Sequence, residues 1–414
     1  MTARVSRREI AVVGGGLSGY ATAIGLALEG FDTLLVAPAT ERTDGRSTAL
    51  IGESIAFLDR IGLADPIAEK GARLATMRIV DDTGRLFRAP TAEFKASEIG
   101  LSAFGINILN ADLLELLQAR ATALQDRLSI VSEPVVDVTV EADGATIELA
   151  DGAMFRVDLV VGADGRQSIV RRRSGITVRE WRYEQSAVVL NFSHRLPHDH
   201  VSTEFHTRNG PFTQVPLPGR HSSLVWVDTP DAAETARDLR PDRLAERIER
   251  RMHSILGAIE ITSEVQSFPL GGARASRMAA SRVALVGEAG HVFPPIGAQG
   301  LNLGLRDAAS LVEAAATSRD DAGSKRTLER YDRARRGDVA TRTVGVDLLN
   351  RSLLAGFLPS QFGRAAGLAA LSGIPVLRRF AIREGLSPGA GLRGLPRDLD
   401  DRLGVGPRLD PDPS

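Results

Sequence analysis

Cysteine is absent from the 414 residues, which excludes disulfides, thiolate metal sites, iron–sulfur clusters and cysteine nucleophiles. Any redox chemistry must come from a borrowed group. Lysine is nearly absent as well. Lys70, Lys95 and Lys325 are the only three among 51 basic residues, a bias toward arginine that carries no binding code by itself. The formal net charge of -1 leaves no electrostatic footprint for nucleic acid or for an anionic membrane surface. No run approaches the roughly 20 apolar residues that a spanning helix needs, so any membrane contact is peripheral. Met1 to Glu9 is polar and Arg-rich and has no cleavable apolar core. A cytoplasmic protein, at most peripheral to the inner membrane, is expected.

What is present is an ordinary globular composition, with 43% hydrophobic and 25% charged residues, in a chain long enough for two joined domains. Ile10 to Val13 is an apolar, β-branched run that stops at three glycines; Ala21 to Leu28 then favours helix and Thr33 to Val36 strand, which makes a βαβ unit. A second helix is expected from Ser47 or Thr48, carrying Ala49, Leu50, Ile51, Ile55 and Leu58. Another is expected from Asn110 as N-cap, with Leu113, Leu114, Leu116 and Leu117 as its buried face. From Val178 to Leu270 the pattern changes to short strands with one helical piece near Asp242 to Met252, which reads as a mostly antiparallel sheet domain inserted into the α/β one. Arg282 to Val286 returns to a buried strand, followed by a Gly-rich turn and a helix over Leu301 to Ala314. The apolar helical tail beyond Gly345 ends in a Pro-, Asp- and Arg-rich stretch from Ser387 that should be extended.

Three motifs carry chemistry. Gly14-Gly15-Gly16-Leu17-Ser18-Gly19 sits between the first strand and its helix. There Gly14 permits the tight turn, Gly16 close backbone approach to a pyrophosphate, and Gly19 helix–strand packing. The acidic residue that should end the second strand and hold a ribose is missing, because Ala37 and Pro38 stand there. Glu41 or Asp44 can substitute, or backbone and water can serve. The second motif, Asp158 to Gly165, is a buried strand that ends in Asp164-Gly165. The third runs from Gly287-Glu288-Ala289-Gly290-His291 through Pro294 to Asn302 and on to Asp307, delivering a carboxylate, a rigid loop and a helix start. Such a helix start can stabilise negative charge on a reduced ring. His194, His198, His200 and His206 lie near one another, but no carboxylate spacing supports a metal site and none is expected. His291 is a candidate catalytic residue, either a structural histidine or a proton shuttle.

In order and spacing over residues 9 to 345, these motifs resemble the class A flavin monooxygenases of the para-hydroxybenzoate hydroxylase type. The resemblance implies an α/β fold: a Rossmann-like FAD-binding domain, an inserted, mostly antiparallel β-sheet substrate domain and a C-terminal helical tail. The corresponding boundaries are 1–75, 98–177 and 271–345 for the FAD-binding domain, 76–97 and 178–270 for the substrate domain, and 346–414 for the tail. It implies that Gly14, Gly16 and Gly19 hold the FAD pyrophosphate and that Glu288, where most relatives have aspartate, binds the ribityl chain. The backbone at Gly297, Gly300, Leu301 and Asn302 should meet the pyrimidine edge, and Asp164 and Gly165 match a motif assigned to both FAD and NAD(P)H.

A narrower resemblance, to the branch that hydroxylates prenylated phenols in ubiquinone biosynthesis, rests on four segments: Asp44 to Leu50, Phe104 to Asn110, Asp347 to Ser352, and Arg383 to Leu386. It implies that Arg46 contacts the FAD phosphates or the flavin edge. NAD(P)H would then reduce FAD, O2 would add at the flavin C4a, and the hydroperoxide would give one oxygen to a lipid-tailed aromatic ring. A peripheral membrane or biosynthetic-complex contact through the tail is part of the same expectation.

Overall fold

The computed structural model describes residues 5–39, 45–84, 88–294, 299–354 and 373–386. In chain order the elements begin with β1 (Val5–Val13), α1 (Leu17–Leu28), β2 (Thr33–Val36), β3 (Ser47–Ile51), α2 (Glu53–Arg60), α3 (Ala64–Lys70), β4 (Ala72–Leu74), β5 (Thr76–Asp81), β6 (Ala92–Lys95), a 3-10 turn (Ala96–Ile99), β7 (Gly105–Leu109) and α4 (Asn110–Thr122). They continue with β8 (Leu128–Val131), β9 (Val135–Val140), β10 (Ala145–Leu149), β11 (Met154–Gly162), α5 (Ile169–Arg173), β12 (Val178–His194), β13 (Val201–His206), β14 (Pro211–Leu217), β15 (His221–Asp228), α6 (Pro230–Asp238) and α7 (Pro241–Arg251). The last are β16 (Ile259–Ile261), β17 (Gln266–Ala275), β18 (Ala279–Ala280), β19 (Val283–Leu285), a 3-10 turn (Gly287–Ala289), β20 (His291–Val292), α8 (Gln299–Ala316), α9 (Lys325–Leu354) and α10 (Pro375–Leu386).

β1 lies between β11 and β2 with all pairings parallel, which is why Ile10 to Val13 carries no polar face. Strand alternation splits this run between two cores. Ile10 and Val12 face one with α1, α4 and α8, while Ala11 and Val13 face the other. The full sheet runs β18-β19-β11-β1-β2-β8, with β10 on β11 and β9 on β10. A nine-stranded sheet, ordered β20-β17-β12-β15-β14-β13-β5-β6 with β16 on β12, is antiparallel apart from the β13–β5 pair. Phe192, Phe205, Phe212 and Trp226 fill its core against α6 and α7. A three-stranded sheet, β3-β7-β4, is the third.

Two local expectations are corrected. Ser47–Ile51 is strand, not helix, because it pairs antiparallel with β7 from Ser47↔Leu109 to Ile51↔Gly105. The helix begins only after Gly52, whose φ of +49° breaks the run. Asn110 is the first helical residue rather than the cap, and its Oδ1 accepts a hydrogen bond from Thr48 Oγ1 at 2.7 Å. α9 runs unbroken from Lys325 through Leu354, across the expected start of a separate tail. Among the described residues no helix is long and apolar enough to cross a membrane.

Candidate active site at three converging turns

β1 ends at Val13 and the chain turns at once through Gly14 into α1. Gly14 has a φ of +126°, and a Cβ there would overlap the Ala163 carbonyl at the exit of β11. A Cβ at Gly19 would overlap the Gly14 carbonyl. The turn's own packing therefore demands both glycines. Gly16 is different: it is exposed at the start of α1, and a Cβ there would meet nothing within 4 Å. That helix start has no side-chain cap and no acidic residue in its first turn. Its amides and the positive end of its dipole thus face an open cradle suited to a phosphate.

The second turn leaves β11 at Asp164-Gly165. Asp164 Oδ2 accepts from the amides of Ile169 at 2.7 Å and Val170 at 3.3 Å, so this carboxylate helps to cap α5. Its Oδ1 is buried with no hydrogen-bond partner among the described residues, and a Cβ at Gly165 would again meet open space. The third turn starts at Gly287, where a Cβ would lie 3.0 Å from Ser18 Oγ, and one at Gly304 in α8 would overlap the same hydroxyl. Ser18, in the first turn of α1, is thus where the first and third motifs and α8 pack together. Glu288 stands half-exposed on the third turn with Arg166 Nε 3.4 Å from its carboxylate, which links the second turn to the third.

Two further predicted residues tie the seat to β3. Asn302, 4% exposed in the first turn of α8, accepts from Ile51 N at 3.1 Å and donates through Nδ2 to Ala49 O at 2.8 Å. Its own carbonyl accepts from Ser54 Oγ at 3.1 Å. Arg46 lies just before β3, its carbonyl bound by Asn110 N at 2.9 Å and its guanidinium 5.6 Å from the Phe268 ring centroid. The preceding Gly45 carbonyl accepts from Asn191 Nδ2 at 3.0 Å, so the nine-stranded sheet also holds this segment. Gly300 is exposed and Leu301 packs partly against the larger core. Gly297, Glu41 and Asp44 lie outside the described residues.

His291 is only 2% exposed and donates from Nε2 to Asp307 Oδ2 at 2.6 Å. The same carboxylate accepts from Gly287 N at 3.0 Å and Arg335 Nε at 2.6 Å. Burial alone would push the Asp307 carboxyl up, but His291 and Arg335 outweigh it and hold the group below its ordinary value. The Arg335 guanidinium, despite burial, is kept above its usual range by Asp307 and Asp338.

The structure therefore brings together Gly14, Gly16, Gly19, Asp164, Gly165, Glu288 and the start of α8, while His291 lies behind the third turn. Sequence reasoning missed Arg335 and Asp338, and also Arg171, which is buried and donates to Ala289 O at 2.7 Å. Neither the 28 positions between Asp307 and Arg335 nor the 118 between Arg171 and Ala289 follow any local spacing rule. Two of the other histidines are tied to the sheet: His194 bonds Leu196 O and Ser222 Oγ, and His198 bonds Leu217 O. Among the described residues no group of three or more His, Asp or Glu is arranged to hold a metal ion.

A family model described as an FAD binding domain matches residues 7–346. The chain is 30% identical to ubiquinone hydroxylase UbiL of Rhodospirillum rubrum over 404 residues, covering 94% of this chain and 93% of that one. It is also 30% identical to 3-demethoxyubiquinol 3-hydroxylase of Escherichia coli over 389 residues, covering 91% and 98% respectively. Among solved structures, p-nitrophenol 4-monooxygenase PnpA from Pseudomonas putida superposes with a TM-score of 0.77 at 20% identity, covering 92% of this chain and 99% of that one. An uncapped, open helix start beside an orphaned buried carboxylate oxygen fits a dinucleotide cofactor, and with the family matched over most of its length the chain belongs to the FAD-binding flavoprotein monooxygenases.

Proposed function

We propose that this flavoprotein hydroxylates a (poly)prenylated phenol ring in ubiquinone biosynthesis, with NAD(P)H as reductant and O2 as oxygen donor. The observation that carries this reading is the alignment of nearly the whole chain with a named ubiquinone hydroxylase. Bound FAD would supply the redox chemistry, taking hydride from NAD(P)H and activating O2 for insertion.

The chain's own residues bind, orient and shield. Gly16 and the first amides of α1 receive the pyrophosphate, with Gly14 and Gly19 holding the turn in shape. Glu288 hydrogen-bonds the ribityl chain. Asp164 and Gly165 border the same groove, and Arg46 reaches the phosphates or flavin edge. The residues that would hold the ring's pyrimidine edge are Gly297, Gly300, Leu301 and Asn302. α8 has no acidic residue in its first turn, so its positive end would stabilise negative charge on the reduced ring. His291, with Nε2 bonded to Asp307, orients the third turn. The aromatic substrate is lipid-tailed, and the C-terminal tail faces a membrane or a biosynthetic partner.

The test is turnover of a prenylated phenol by FAD-loaded protein under oxygen-18 gas with NADH or NADPH. One labelled oxygen in the product is expected. Cofactor oxidation without label in the product would replace hydroxylation with a reductase or oxidase activity.

A further inference from the structure

A buried ionic chain runs behind the third turn. Asp307 in α8 is fully buried and accepts from Gly287 N, His291 Nε2 and Arg335 Nε. Arg335 in α9 is 3% exposed and reaches Asp338 through Nη1 at 2.8 Å. Asp338 also receives Arg306 Nη2 at 3.0 Å and Arg342 Nε at 3.2 Å. A carboxylate this deep is tolerated only with a countercharge and filled hydrogen bonds, and Arg335 supplies the permanent cation.

The turn that Asp307 grips has little slack. Gly287 sits at a φ of +61° with Ser18 Oγ 3.0 Å from where its Cβ would be, so a small shift of the turn moves Glu288 relative to Gly16. Two hydrogen bonds fix the turn from behind, one on the Gly287 amide and one on His291, and both end on the oxygen Asp307 Oδ2. Arg335 holds the other oxygen, Oδ1.

We propose that Arg335 is a positioning residue for the FAD seat: through Asp307 it sets the turn that presents Glu288, and so couples α9 to cofactor retention. This rests on the assignment of Glu288 to the ribityl chain. Of the two carboxylates that Arg335 holds, only Asp307 bonds the third turn, so Arg335 acts on FAD through that turn.

The experiment is a double-mutant cycle on FAD affinity, read by flavin fluorescence on titrating apo-protein, with the apo thermal midpoint recorded for each variant. Glu288→Ala and Arg335→Met should each weaken FAD binding at least about tenfold, and the double variant should lose little more than Glu288→Ala alone. Arg335→Lys should recover part of the loss. Arg330→Met removes an exposed α9–α8 pair with Glu313 far from the turn and should leave FAD affinity unchanged. Unaltered affinity in Glu288→Ala would overturn the seat assignment itself. If Glu288→Ala weakens binding while Arg335→Met does not, or if the two losses simply add, the positioning role is wrong. Equal losses in Arg335→Met and Arg330→Met would show general helix packing instead. Should Arg335→Met fail to fold, the same cycle with Arg335→Lys decides by the same criterion.

Discussion

Ile51 and Asn302, 251 positions apart, are joined by a backbone-to-side-chain hydrogen bond of 3.1 Å, so one side-chain amide at the start of α8 pairs with β3 much as a neighbouring strand would. Its second bond, to Ala49 O, completes the mimicry. Asn302→Leu keeps the volume and removes both bonds, leaving a backbone donor and acceptor short of partners at about 1–3 kcal/mol each. We expect a lower thermal midpoint in the apo-protein and weaker FAD retention, because the start of α8 loses its register. Calorimetry with and without FAD measures both. An unchanged midpoint would mean that β3 does not depend on this bridge.

Gly16 and Gly19 belong to one motif but should fail differently. Gly16→Val adds bulk where the chain itself has nothing within 4 Å, so the apo-protein should fold with a near-normal midpoint yet bind no FAD. Gly19→Val drives a side chain into the Gly14 carbonyl and should impair folding before binding. Circular dichroism melts alongside flavin absorbance after reconstitution separate the two. Full FAD occupancy in Gly16→Val would remove the cradle from the site.

The contrast between these two glycines also shows what sequence could tell. Gly14, Gly16 and Gly19 were legible because strand, turn and helix are contiguous, so spacing alone fixes their geometry. Ser47–Ile51 was misread because Ala49, Leu50, Ile51, Ile55 and Leu58 form a helical stripe across Gly52, and only the pairing with Gly105–Leu109, some 60 residues on, makes the first part a strand. Asn302 was read as part of the cofactor loop, but its side-chain bond to β3 is a long-range contact that no periodicity carries. Arg335 and Asp338 were hidden for the same reason: each reads as an ordinary helical charge until α8 and α9 are packed.

Burial holds the His194 imidazole below its ordinary value of 6.5, opposed in part by its bond to the Leu196 carbonyl and reinforced by His198. The ring is 5% exposed, with Nδ1 2.7 Å from Leu196 O and Nε2 3.0 Å from Ser222 Oγ, partners that satisfy the neutral form. A lowered folded value means that the unfolded chain takes up the proton first as pH falls. Stability is therefore flat above pH 6.5 and declines as pH drops from there toward the folded value. Urea midpoints between pH 7.5 and 5.5 should show this slope, and His194→Asn should flatten it. A slope that survives the substitution belongs to another group.

Ile382 is buried in a small cluster with Ala89, Ala92, Phe94, Leu101 and Phe104, against which Ile51 also packs, so apolar contact continues from α10 to the strand that Asn302 holds. Arg378 Nε donates to Glu98 Oε2 at 2.6 Å and fastens the helix to the 3-10 turn Ala96–Ile99. Burial would raise the Glu98 carboxyl, but Arg378 and the Lys95 amide prevail and hold it below its ordinary value. The outer side of α10 leaves Val376 70% and Phe380 39% exposed, an apolar face with Arg379 beside it. A prenyl tail gains about 0.8 kcal/mol for each CH2 taken out of water, so a long-chain phenol needs apolar cover on its way to the flavin and a short-chain analogue does not. Deleting residues 373–414 leaves α9 intact through Leu354 and exposes the Phe94–Phe104 cluster. Turnover of the long-chain phenol should fall at least about tenfold more than that of the short-chain analogue, with FAD content unchanged. Lost FAD would assign α10 to packing of the cofactor domain, and equal losses for both substrates would exclude it from the tail's route.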